Sequence, residues 1–152
     1  MKQEEISQLH LNIQKSIRLF HLLDQNVTPC GFHLSPSQVF ALQELEAETT
    51  TIGELSDKLL LERSTVSRLV DGLVKGGFIT RELNEDNRRE VLVSLSDKGR
   101  KSLHHVLEQS FHFYESILEQ LTDYEQSQIL QGMELFTQSL FKYREKKKHT
   151  HP

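Results

Sequence analysis

Residues 52–96 constrain the chain more than any other stretch: IGELSDKLLLERSTVSRLVDGLVKGGFITRELNEDNRREVLVSLS. The apolar period changes along it. Ile52, Leu55 and Leu59 recur at i, i+3 and i+7, and Val66, Leu69, Val70, Leu73 and Val74 at i, i+3, i+4, i+7 and i+8, so each set lies on one face of a helix. Val91, Val93 and Leu95 then alternate, which is the period of a strand. Gly76-Gly77 divides the two regimes, since glycine tolerates the left-handed conformation at a helix C-terminus. The stretch therefore reads as helix, tight turn, helix, then strands over residues 78–83 and 90–95. A polar loop, residues 84–89, joins the strands and ends in Arg88-Arg89.

Two helices joined by a few residues can brace the second against a DNA backbone while it enters the major groove. The exposed face of that second helix then needs short hydroxyl side chains for close approach and arginine for bidentate bonds to guanine. Arg63, Ser64, Thr65, Ser67 and Arg68 supply both kinds, with Lys75 further along. Arg88 and Arg89 on the hairpin suit the adjacent minor groove or its phosphates. An ordinary helical hairpin with a solvated charged face is the competing reading, and the arginine-tipped hairpin directly after Gly76-Gly77 weighs against it.

These residues resemble the winged helix-turn-helix of the MarR family of bacterial transcriptional regulators. The matching run is Leu55-Ser56 with Leu59, residues 64–71, Leu73, Gly77-Phe78-Ile79, Arg88-Arg89, then Val91, Val93, Leu95, Ser96 and Gly99. The resemblance implies a mainly α fold with a small antiparallel β wing, flanked by long N- and C-terminal dimerisation helices. It also implies a homodimer on a palindromic operator, ligand-responsive, with repression as the default. Two departures stand out. Asn87 replaces the family's wing aspartate, which is thought to orient the wing arginine, here Arg89; Asn accepts a hydrogen bond but brings no charge, and Asp86 with Arg88 is a register-shifted substitute. Ser67 and Ser96 stand where threonine is commoner.

A length of 152 residues predicts one domain with its own core, with the winged helix-turn-helix at 35–100 and dimerisation helices at 1–34 and 110–145. No run approaches the ~18 apolar residues of a membrane span, and the N-terminus has no apolar signal segment; a cytoplasmic location is expected. The single Cys30 rules out an internal disulfide framework. Net charge is −4, yet it is uneven: residues 1–62 hold 4 basic and 9 acidic residues, residues 63–100 hold 8 and 6, and residues 101–152 hold 6 and 7. The positive third is the one read as DNA-binding, and clustering on one face matters more than the total.

The flanks read as long amphipathic helices. Ile6, Leu9, Ile13, Ile17 and Phe20 stripe residues 4–26, and Pro29, Cys30 and Gly31 break the helix beyond them. Ser35 with Gln38, Thr51 with Glu54 and Thr122 with Glu125 have the spacing of capping boxes, with Pro36 suited to a first helical position. Residues 49–51 have the composition of a third short strand. Leu103, Val106 or Leu107, Phe111, Tyr114, Ile117, Leu118 and Leu121 mark the fifth helix, and Ile129, Leu130, Met133, Phe136, Leu140 and Phe141 the last. No small core needs both terminal helices, so they are expected to interlock across a two-fold axis. Residues 146–152 read as a flexible tail.

No motif of an enzyme is present. His104, Glu108 and His112 share one helical face at i, i+4 and i+8, and Cys30 and His33 lie near the first bend. Polar residues on a half-exposed helix are the plain reading; a zinc-sensing site is the alternative. Oxidant sensing through Cys30 is another, although the thiol would need cations or a helix N-terminus nearby. From a different class comes a winged-helix protein-interaction module, which would expose apolar side chains where this face exposes Arg, Ser and Thr.

Overall fold

The computed structural model describes residues 1–27, 34–87 and 89–148, and these form six helices and one three-stranded antiparallel sheet. The order is α1 (Gln3–Val27), α2 (Pro36–Ala47), β1 (Thr50–Thr51), α3 (Ile52–Leu59), α4 (Arg63–Lys75), β2 (Ile79–Leu83), β3 (Val91–Leu95), α5 (Asp97–Leu118) and α6 (Asp123–Lys148). Two compact units result, Met1–Ser110 and Phe111–Pro152.

Local chemistry sets the helix starts. Ser35 Oγ accepts the Gln38 N–H at 3.3 Å while Gln38 Oε1 accepts the Ser35 N–H at 2.8 Å, and Pro36 fills the first helical position, where a missing N–H costs nothing. Thr51 Oγ1 accepts the Glu54 N–H at 3.2 Å and Glu54 returns the bond to the Thr51 N–H at 2.9 Å. Thr122 and Glu125 repeat the pattern in the second unit. Each box satisfies donors that a helix leaves open at its first turn. α4 is different: Glu62 precedes it and makes no side-chain cap.

The end of α4 explains the wing's boundaries. Gly77 takes φ +75°, and the Phe78 N–H returns to Leu73 O at 2.9 Å. That bond is part of the helix end, so β2 begins at Ile79 rather than at 78. β3 likewise begins at Val91 rather than at 90, because the Glu90 N–H is used in the loop, on Asn87 O at 2.8 Å. Strand order is β1-β3-β2, with Thr50 opposite Val93 and Arg81 opposite the same residue from the other side. The threonine-rich segment is therefore a sheet strand, paired to β3.

The core lies under α4. Leu42, Leu45, Leu55, Val66, Val70, Leu73, Ile79, Val93 and Leu103 are buried, with Ile52, Leu59, Leu69 and Val74 half-buried against them. α2, α3, α4, the sheet and the first half of α5 thus share one apolar centre. The amphipathic stripes of the flanking helices are present but uncovered. Ile6, Leu9 and Ile17 on α1 are exposed, as are Phe111, Tyr114 and Ile117 on α5 and Ile129, Leu130, Met133, Leu140 and Phe141 on α6.

α6 continues through Lys148, so 146–148, read from the sequence as the start of a flexible tail, are helical; 149–152 lie outside the described residues. Glu145 and the lysines are good helix formers, and cations suit the negative end of a helix. No described helix is long and apolar enough to cross a membrane.

Candidate nucleic-acid interface

Burial of Val66, Val70 and Leu73 fixes the rotation of α4 about its axis. The opposite face then carries Ser64, Thr65, Arg68, Asp71 and Lys75, with Arg63 and Ser67 at its edge; Arg63, Ser64, Thr65, Arg68, Asp71 and Lys75 are exposed. Arg68 Nε donates to Ser64 O at 3.4 Å and so folds back along its own helix. Lys75 shares the helix but not the neighbourhood: at 1.5 Å per residue it lies roughly 18 Å along the axis from Arg63.

The one acid on this face is engaged. Asp71 accepts a hydrogen bond and ion pair from the Arg81 guanidinium of β2. Negative charge is thereby neutralised on the exposed face of α4, and α4 is tied to β2. Sequence reasoning did not single out Arg81; the available signal was Asp71 in the matching run, whose cation had to come from elsewhere.

The wing loop is held by asparagines through the backbone. Asn84 Oδ1 accepts the Asp86 N–H at 3.1 Å, and Asn87 Oδ1 accepts the Arg89 N–H at 3.3 Å. Asn84 also donates to Glu90 Oε2 at 3.2 Å. Asn87 thus does not hold the Arg89 guanidinium, the task ascribed to the family aspartate; it sets the backbone that carries it. Arg89 is exposed. Arg88, and with it the Asp86–Arg88 substitute, lies outside the described residues.

Between the start of α4 and the base of the wing lies a cleft of about 510 Å³. Arg63, Ser64 and Ser67 line it from α4, Arg89 and Glu90 from the wing, and Thr51 from β1. Arg63 reaches across the first turn of α3, with its Nη2 3.1 Å from where a Cβ on Gly53 would sit. So the structure brings Arg63, Ser64, Ser67 and Arg89 to one place, and leaves Arg68, Thr65 and Lys75 along the helix face outside it.

Among the described residues, the metal candidates are not brought together. His104 Nε2 lies 3.1 Å from Glu46 Oε1 of α2, and His112 Nδ1 lies 3.4 Å from Glu115 of its own helix. Glu108 is exposed. Among the described residues no group of three or more His, Cys, Asp or Glu is placed to hold a metal. A shared helical face aligns side chains in a row, whereas a metal needs them to converge. Cys30 and His33 lie outside the described residues.

Residues 34–91, the segment from the start of α2 to the wing, match the model of the MarR family. The resemblance to that family is thereby borne out over this segment. Among related proteins, the HTH-type transcriptional regulator YsmB of Bacillus subtilis is 32% identical over 95 residues, which are 62% of this chain and 65% of that protein. The chain thus spans somewhat under two thirds of that relative's length. A solved MarR family protein from Bacillus stearothermophilus is similar over 93% of this chain and 99% of its own, at 25% identity and a TM-score of 0.80. The transcriptional repressor CouR, solved bound to a 23-mer DNA duplex, shares the fold at 24% identity and a TM-score of 0.72, over 90% of this chain and 97% of its own. YsmB is described as a transcriptional regulator and CouR as a transcriptional repressor, and the winged helix-turn-helix expected from residues 52–96 is the fold observed.

Proposed function

We propose that this chain is a sequence-specific DNA-binding regulator of the MarR type, by default a repressor, acting as a cytoplasmic homodimer. The observation that carries the reading is the exposed Arg63–Lys75 face of α4, with its one acid paired to Arg81 and its apolar side locked in the core. In each protomer α4 enters a major groove, where Arg68 meets base edges and the hydroxyls meet base edges or phosphates. The wing, with Arg88 and Arg89, lies over the flanking minor groove and its phosphates. Phosphate contacts supply most of the affinity; base contacts supply discrimination. The CouR complex, a protein of the same fold on duplex DNA, supports this arrangement.

Uncovered apolar stripes on α1 and α6 support dimerisation, because apolar patches of this kind on a soluble chain mark interfaces. A two-fold dimer matches a palindromic site with half-sites about one helical turn apart. A small-molecule effector bound between dimer helices and reading helices would change the spacing of the two α4 helices. It can release DNA only as far as it prefers the incompetent spacing.

The test is selection from a random duplex library. The dimer should enrich an inverted repeat with half-sites about ten base pairs apart. A library that shows no enrichment over several rounds contradicts the proposal and favours a protein-interaction wing.

A further inference from the structure

We infer that the cleft between α4 and the wing grips a single DNA backbone phosphate, with Arg63 and Arg89 on either side of it, and that Gly53 positions Arg63 for the task. The inference rests on the DNA-binding reading above and adds which contact the cleft makes. The geometry is that of the duplex. When a helix occupies the major groove and a wing the adjacent minor groove, the strand dividing those grooves must pass between them. In this chain that path is the cleft.

Its lining fits a phosphodiester. Arg63 and Arg89 come from different elements, and Ser64 and Ser67 add hydroxyl donors on the α4 wall. α4 starts without a side-chain cap, and the Glu62 carbonyl takes the Thr65 and Val66 N–H groups, so the Arg63 and Ser64 N–H groups are not taken up by Glu62; such groups and hydroxyls are common phosphate donors. The one carboxylate in the lining, Glu90, accepts from the Asn84 amide at 3.2 Å. Arg63 owes its place to Gly53. Its guanidinium tip lies 3.1 Å from the point a Cβ would occupy, and the three atoms nearest that point all belong to the Arg63 guanidinium, so a side chain there meets Arg63 first.

Two cations on one phosphate have a distinctive signature. Log affinity falls with log salt by about 0.9 per phosphate neutralised, whichever residue does the neutralising. Binding to a fluorescent duplex is measured by anisotropy over a KCl series for the full chain, Arg63→Ala, Arg89→Ala and the double variant. Each single variant should bind more weakly but keep the slope, because the other arginine still neutralises that phosphate. The double variant should lose about 0.9 of slope per protomer. Slope losses of about 0.9 in each single variant, adding in the double, would assign separate phosphates and overturn the inference. An unchanged slope in the double variant would overturn it too, since the cleft would then hold no DNA phosphate. Gly53→Leu in the Arg89→Ala background should reproduce the double variant's slope with an unchanged helical circular dichroism spectrum; a retained slope would remove Gly53's role. Salt-independent binding by the unaltered chain would instead defeat the DNA-binding reading itself.

Discussion

Gly99, in the first turn of α5, packs directly on the main chain of Phe78, and a Cβ on Gly99 would lie 1.9 Å from the Phe78 carbonyl oxygen. The contact joins the end of α4 to the start of α5. Bonds around it do the same: Ser96 Oγ donates to Gly77 O at 2.7 Å and accepts the Gly99 N–H at 3.0 Å, while Lys98 Nζ donates to Gly76 O at 2.6 Å and lies over the Phe78 ring. The obstacle is backbone, so nothing nearby can yield cheaply. Gly99→Ala should cost about 1–3 kcal/mol, the usual penalty of overpacking a filled site. Urea unfolding at fixed protein concentration measures it, with Gly132→Ala as the contrast: a Cβ on Gly132 would point into open space, with nothing beyond its own helix within 4 Å, and alanine there should stabilise α6.

Asp71 and Arg81 give a second test. Both side chains are more than a third exposed, so the pair should contribute under about 1 kcal/mol to stability. Its larger effect is on DNA. Arg81→Ala leaves Asp71 uncompensated on the reading face and should weaken binding to every duplex at low salt. Asp71→Ala in that background should recover most of the loss. Independent, additive losses would mean the two residues act separately.

Arg68 and Arg89 should separate discrimination from affinity. Arg68→Ala, on the open face of α4, should narrow the gap between preferred and scrambled DNA by about 1–3 kcal/mol. Arg89→Ala should weaken both DNAs by the same factor. Competition titrations with the two duplexes read this directly, and equal weakening by Arg68→Ala would assign it to phosphate instead.

Acid should remove the lock between β1 and α3. The Glu54 carboxylate accepts from the Thr51 N–H and from the Thr50 and Thr51 hydroxyls, and these bonds hold its pKa below the usual 4.5. A carboxylate with a depressed folded pKa contributes stability that is complete above the unfolded pKa and is lost as pH falls through the folded one. Glu54→Gln should therefore melt lower than the unaltered chain at pH 7, with the gap closing on acidification below about 4.5. Melting curves from pH 7 to 3 would show it; a gap constant across that range contradicts it.

Much of the local structure was legible in the sequence. The three capping boxes, the Gly77 stop and the two-residue period of β3 are set by residues a few positions apart, and all are in place. The residues that align α4 with its surroundings were harder to read, because their partners lie far along the chain. Arg81 meets Asp71 ten positions away, His104 turns to Glu46 on another helix, and Gly99 meets Phe78 across the whole wing. His104, Glu108 and His112 illustrate the same limit in reverse: periodicity put them on one face, and two of them turn to different carboxylates. Asn87 was singled out for its side chain and instead serves the backbone of Arg89.

The most direct test of the central claim is a salt series of binding to DNA from upstream of the chain's own coding region, with scrambled DNA as control. Saturable binding, tighter on the native sequence, with log affinity falling linearly in log salt, is the predicted result. Weak and equal binding to both duplexes, with no linear dependence on salt, would contradict the assignment of α4 and the wing to DNA.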